Sequence, residues 1–223
     1  NMGVALKNQG KLDEAIEAHQ KSILLKPVHA NGYYNLGNAF REQFKLDEAI
    51  KYYSKSILLS PSFIDAYNNM GLTFHYQDKL DDAKQVFDKA ISINPEYPES
   101  HKNLSHVLLR SGKIKEGLNE YEWRWKTPKF SSQQRFFLQP KWDGKQSLSG
   151  KRILLWREQG IGDTLNWSSC LPLVTSRSKH VILECQEKLV PLLTRSFPDV
   201  EIKAEDRSRD KQRDDFDYHL PMG

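Results

Sequence analysis

At 223 residues, with 33 basic against 29 acidic side chains and a formal charge of +4, the chain has room for two folding units. It lacks the one-signed field that would argue for nucleic acid or an anionic membrane surface as partner. Cys170 and Cys185 stand in no Cys-x-x-Cys or Cys/His grouping, which excludes a disulfide framework and a metal site, and no apolar run approaches a membrane span, so reduced thiols and a cytoplasmic setting are expected.

From the first residue a step of 34 organises the chain. Pro27, Pro61 and Pro95 follow it, as do Gly3, Gly37 and Gly71, and Ala15, Ala49 and Ala83. A period of this size marks stacked helical hairpins. Within one copy, Ala30 to Phe40 and Lys45 to Leu58 carry apolar residues at helical spacing, joined by a polar turn around Glu42 to Phe44. Small residues at Gly37 and Ala49 let the helices approach, Tyr33, Leu36, Phe40 and Tyr53 fill the space between them, and Pro61 stops the second helix.

This pattern resembles the tetratricopeptide repeat family over residues 1–126. A partial copy ends near His29, full copies run 30–63 and 64–97, and a degenerate one starts at Pro98. In the last, Ser105 replaces the glycine, Gly117 the alanine, and Tyr121-Glu122-Trp123-Arg124-Trp125 runs on where a proline is due; Trp123 and Trp125 are expected to pack against the next domain. Entry at Asn1 in mid-helix and the stop at Gly223 read as the ends of a fragment.

Asn1, Asn35, Asn69 and Asn103 keep one phase of the repeat, so their amides are expected to form a ladder along one face. A primary amide matches the N–H and C=O of an extended peptide, and it equally suits local bonds between neighbouring repeats. The ladder resembles that of O-linked N-acetylglucosamine transferase, which implies an acceptor polypeptide held in the groove. Tyr34, Asn38, Arg41, Asn68, His75, Lys102 and His106 are expected to line the same groove, with a protein or peptide as partner.

Periodicity ends at Thr127. Pro128, Pro140, Asp143-Gly144 and Ser149-Gly150 mark 127–149 as a linker. Over 150–223 strands alternate with helices: strand Lys151 to Trp156, a glycine turn, helix Leu165 to Val174, strand Val181 to Cys185, helix Glu187 to Phe197, strand Val200 to Lys203 and a short strand near Tyr218 to Leu220. Such alternation predicts a parallel sheet in an incomplete Rossmann-like α/β domain after the all-α solenoid. Glu205 to Asp215, with no apolar residue, reads as a solvated loop.

The glycine turn is the chemical feature of this half. Asn166 and Trp167 stand where the third glycine of a dinucleotide fingerprint would fall, and no Gly-Lys-Ser/Thr is present after the turn, so NAD and a phosphate loop are excluded. What remains is a tight turn delivering Asp163 to the carboxyl edge of the sheet, as an N-cap, as a functional acid, or as both.

Trp142-Asp143-Gly144, Gly150-Lys151, Glu158-Gln159-Gly160-Ile161-Gly162-Asp163-Thr164 and Leu171-Pro172 resemble the amino-terminal half of heptosyltransferase-type glycosyltransferases of the GT-B fold. Members preceded by tetratricopeptide repeats carry a Tyr-Glu-x-Arg-Trp stretch, matched by Tyr121, Glu122, Arg124 and Trp125. The resemblance implies Asp163 as general base on an acceptor hydroxyl, backbone clearance at Gly160 and Gly162, and Glu158, Gln159 and Thr164 as substrate-binding residues. It also implies a nucleotide-diphosphate sugar donor bound mainly by a second domain of a full-length, bacterial protein; no cofactor is expected in residues 1–223. The chain departs from that family at Ser168-Ser169-Cys170, where an arginine and an aromatic are usual. The other expectation is a non-catalytic adaptor in which the repeats bind a partner protein and the α/β unit has degenerated.

Overall fold

The structure, a computed structural model, describes residues 2–131, 133–158, 160–208 and 210–222. Its residues fall into two compact units, Asn1–Ser131 and Ser132–Gly223.

The first unit is helical: α1 Met2–Asn8, α2 Leu12–Leu25, α3 Ala30–Glu42, α4 Leu46–Leu59, α5 Ile64–Tyr76, α6 Leu80–Ile93, α7 Pro98–Arg110 and α8 Ile114–Tyr121, followed by a 3-10 turn Glu122–Lys126 and the short α9, Pro128–Ser131. Helices pair as hairpins, and each pair packs on the next. Aspartates and glutamates open the second helix of each full copy, Asp47 and Glu48 in α4 and Asp81 and Asp82 in α6, where the helix dipole favours negative charge.

Between the two helices of a pair the chain turns through a left-handed residue in every copy: Gly10, Phe44, Asp78 and Gly112, with φ of 76°, 58°, 61° and 76°. Close approach inside a pair rests on the glycines. A Cβ on Gly37 would meet the Tyr53 ring at 2.7 Å, and one on Gly71 the Phe87 ring at 2.8 Å. Neighbouring copies are fastened by repeated bonds: Gln43 Nε2 donates to Asp13 Oδ1 at 2.7 Å, and one period later Gln77 Nε2 donates to Asp47 Oδ1 at 2.8 Å.

The degenerate copy closes differently. Gly117 is required because a Cβ there would lie 2.7 Å from Leu109. Trp123 stacks on buried His101, centroids 3.9 Å apart, with Lys126 Nζ 3.8 Å from its centroid on the same ring system. Arg124, 2% exposed, sets its guanidinium against Tyr121 and Trp125, so both tryptophans expected to meet the next domain have partners within their own unit.

The second unit is built on a parallel sheet ordered β3-β2-β1-β4: β1 Arg152–Arg157, β2 His180–Cys185, β3 Glu201–Ala204 and β4 Tyr218–Met222. Helices α10 Ile161–Ser168 and α11 Leu171–Thr175 come after β1, and α12 Val190–Ser196 after β2. Near-continuous apolar runs in β1 and β2 are buried, as expected of parallel strands covered on both faces. Ile153, Leu155, Leu171, Val181, Leu183, Leu193 and Val200 form their core.

The stretch expected to be a linker, 127–149, is divided between the units. Residues 128–131 are α9, whereas Phe137 packs edge-on against Phe216 at 5.3 Å and Lys141 bridges to His219 beside β4. The charged segment 205–215 is likewise not wholly solvated, because Asp210 is buried. Arg135, 4% exposed, holds it: Nε donates to Asp210 Oδ2 at 2.9 Å, Nη2 donates to both Asp210 Oδ1 and the Asp206 carbonyl, and Nη1 donates to Glu184 Oε2 at 2.6 Å.

Candidate functional site

The asparagines of the repeats meet as a network between copies. Asn69 Nδ2 donates to Asn38 Oδ1 at 2.8 Å and to the Tyr34 hydroxyl at 3.0 Å, and Asn38 Oδ1 also accepts from the Tyr53 hydroxyl at 2.7 Å. One copy further on, Asn103 Nδ2 donates to Asn68 Oδ1 at 3.0 Å. Asn103 and Asn68 are buried, whereas Asn35, Asn69, Tyr34, Asn38 and Arg41 remain half-exposed. Asn1 lies outside the described residues. The amide N–H groups of Asn69 and Asn103 are therefore engaged by neighbours, which ties adjacent copies together.

At the carboxyl end of the array His75, Lys102 and His106 gather. Burial, then Lys102 and His75, hold the His106 imidazole below the ordinary histidine range; burial and then Arg110 do the same for His75 against the opposing pull of Asp78. Near pH 7 both rings are neutral, which leaves Lys102 and Arg110 as the fixed positive charges there.

At the amino end Tyr34, Asn35, Phe63 and Asp65 wall a cavity of about 500 Å³ whose lining includes His19. His19 is absent from the residues that the sequence pattern picks out. A signal for it exists all the same, since His19 stands one period before Tyr53 and two before Phe87.

In the second unit the glycine turn comes after β1. Asp163 is the third residue of α10 and reaches back, Oδ2 accepting from the Gly160 N–H at 3.0 Å, so it closes the helix start as the acid of a capping box rather than as the N-cap itself. Thr164, fully buried, donates to the Gly160 carbonyl or to Gln186 Oε1, each 3.2 Å away. Glu158 is buried at 1% exposure with its amide N–H on the Met222 carbonyl, Gly162 has open space where a Cβ would stand, and Gln159 lies outside the described residues. Of these residues Asp163 alone pairs a half-exposed carboxylate with the end of a strand.

The buried charges Arg135, Glu184 and Asp210 likewise escape the sequence pattern. Glu184 sits on β2 between two guanidinia, Arg135 Nη1 and Arg213 Nη1. Only the fold brings together residues so far apart in sequence. A cavity of about 340 Å³ beside them, lined by Lys203, Asp206, Arg213 and Asp215 among others, opens at the carboxyl ends of β2 and β3.

Residues 30–63 and 64–97 match the tetratricopeptide repeat family, and residues 3–43 match the TPR repeat family. Residues 3–97 are tetratricopeptide repeats. Protein FlbA of Caulobacter vibrioides is 35% identical over 102 residues, 44% of this chain and 17% of FlbA, so the chain spans about a sixth of that relative. The crystal structure of MamA superposes with a TM-score of 0.53 at 23% identity, covering 59% of this chain and 77% of MamA. A MamA fragment from Desulfovibrio magneticus gives 0.52 at 22%, covering 57% and 74%. These likenesses fix the tetratricopeptide fold of the helical unit. Among the described residues no helix is long and apolar enough to cross a membrane.

Proposed function

We propose that the chain acts as a docking module whose tetratricopeptide repeats hold an extended segment of a partner protein. The observation that carries this reading is the row of half-exposed Asn35, Asn38, Asn69, Tyr34 and Arg41 on a floor already cross-bonded between copies. A groove fixed in this way binds without first paying to order itself. Free thiols at Cys170 and Cys185 suit a reducing, cytoplasmic setting. An array of 15-residue peptides probed with the 223-residue chain tests it. Asn35→Ala with Arg41→Ala should reduce retained signal at least tenfold; binding indifferent to that change, or absent throughout, removes the docking role.

A second reading rests on the turn after β1. A half-exposed Asp163 carboxylate at the carboxyl edge of a parallel sheet is where such sheets bind ligands, and a carboxylate there could take the proton of an attacking hydroxyl. Under this reading the full-length protein moves a sugar from a nucleotide-diphosphate donor while the repeats deliver the acceptor. Asp163→Asn in the full-length protein should then abolish transfer with melting unchanged, and undiminished turnover would remove Asp163 as base.

A further inference from the structure

The small net charge of the whole chain conceals a segregation within the hairpins. In α2 and α4 the first turn is acidic, with Asp13 and Glu14 in one and Asp47 and Glu48 in the other, whereas residues 18–29 and 49–63 hold no Asp or Glu and carry Lys21, Lys26, Lys51 and Lys55. All four lysines are exposed. At the same end of the hairpins large apolar side chains stand in solvent: Leu24, Leu25, Val28 and Leu58 are 80%, 84%, 83% and 81% exposed.

Helical spacing joins the two properties. Lys21, Leu24 and Leu25 stand at i, i+3 and i+4, as do Lys55, Leu58 and Leu59, so on each helix a lysine borders the leucines. The 34-residue step sets Leu24 and Leu58 at equivalent places on successive copies, and Lys21 and Lys55 likewise. In the third copy the patch stops. Ser92 takes the place of Leu58, and Glu96, paired with Lys126 at 2.9 Å, takes that of Val28. Packing inside the repeats does not use these leucines, because α2 and α4 bury Ala15, Ile16, Ala49 and Tyr53 instead. A bounded patch of exposed apolar side chains marks an interaction surface, and the lysines around it select an anionic partner. Side chains that stand four-fifths clear of the protein fit a partner that deforms around them, as a fluid bilayer does.

We propose that this rim of the first two copies docks on an anionic lipid surface, with Leu24, Leu25, Val28 and Leu58 entering the headgroup layer while Lys21, Lys26, Lys51 and Lys55 meet lipid phosphates. Lysine suits such a border, since its stem lies along apolar surface while its ammonium stays at the level of the phosphates. The leucines supply the apolar share of binding and the lysines the charge-dependent share. The rim belongs to α2, α4 and the turn after α2, whereas the docking row of Tyr34, Asn35, Asn38, Arg41 and Asn69 belongs to α3 and α5. Lipid binding therefore goes beyond the docking role and does not depend on it.

Flotation of the 223-residue chain with lipid vesicles tests the assignment. Vesicles of phosphatidylcholine with phosphatidylglycerol should carry the chain, vesicles of phosphatidylcholine alone should bind it at least tenfold more weakly, and raising salt from about 0.1 M to about 0.5 M should release it. Leu24→Gln with Leu58→Gln, and Lys21→Gln with Lys51→Gln, should each weaken binding at least tenfold with melting unchanged. Lys113→Gln with Lys115→Gln removes the same charge from the fourth copy and should change binding less than twofold. Failure to float, equal binding to both kinds of vesicle, or an equal loss from the Lys113 and Lys115 pair overturns the assignment. So does a dimer in sedimentation that Leu58→Gln dissociates while vesicle binding is unaffected, which would give the rim to a second copy of the chain.

Discussion

The indole Nε1–H of Trp156 on β1 donates to Nδ1 of His219 on β4 at 3.2 Å, with both side chains buried. Indole can only donate, so Nδ1 must be the unprotonated nitrogen and the ring neutral. Burial, then Lys141 and Arg135, push His219 from 6.5 down to about 4, against a smaller opposing pull from Asp210. A lowered histidine leaves stability unchanged above about pH 7. Below 6.5 the unfolded chain takes up a proton that the folded unit refuses, so stability falls until about pH 4 is passed, by roughly 3 kcal/mol at most. Amide exchange of β1 and β4 between pH 7.5 and 4.5 should show this loss, and His219→Gln, which still accepts from Trp156, should flatten it. An unchanged slope in that variant would place the titrating group elsewhere.

Arg135 should be the costliest buried charge to remove from the second unit. Arg135→Ala strands Asp210 and leaves Glu184 with Arg213 alone, an uncompensated buried charge worth about 3–5 kcal/mol. Urea unfolding of the variant measures it; a loss below about 1 kcal/mol would mean that water reaches the two carboxylates.

Gly71→Ala should destabilise the repeats by about 1–3 kcal/mol, because its Cβ would stand 2.8 Å from the Phe87 ring. Combining it with Phe87→Leu should recover part of the loss, and calorimetry of the single and double variants reads the coupling. Additive losses would show that the two positions do not touch.

Phe44 holds a left-handed φ of 58° with 83% of its surface exposed. That conformation costs a residue with a Cβ about 1–2 kcal/mol, and equivalent turns use Gly10 and Gly112. Phe44→Gly should therefore raise the melting temperature of the repeats, by an amount equivalent to about 1 kcal/mol, whereas Phe44→Ala should leave it near the wild-type value. A drop on changing to glycine would mean that the exposed ring supports the turn.

Much of the helical unit is legible in the sequence because its information is local and repeated. Expected helices at 30–40 and 45–58 correspond to Ala30–Glu42 and Leu46–Leu59, since the 34-residue step places glycine, alanine and proline where each copy needs them. Strand positions are legible because buried parallel strands are short apolar runs, β1 lying between Gly150 and Gly160, and Lys151–Trp156 differs from β1 by a single residue at either end. The asparagine phase is visible too, but not which way the amides point.

What sequence alone determined here is periodic or contiguous: the hairpin repeat, the strand and helix alternation, and the glycine turn that ends in Asp163. What tertiary structure decided is pairing across distance. It engaged Asn69 with Asn38 and Tyr34, drew Asp163 back onto Gly160, buried Arg135 among acids from two remote segments, and left His19 Nε2 buried without a partner among the described residues, Val4 standing where Asn38 serves the next copy. Composition records which polar groups exist; only packing, by excluding water, determines which of them have a partner.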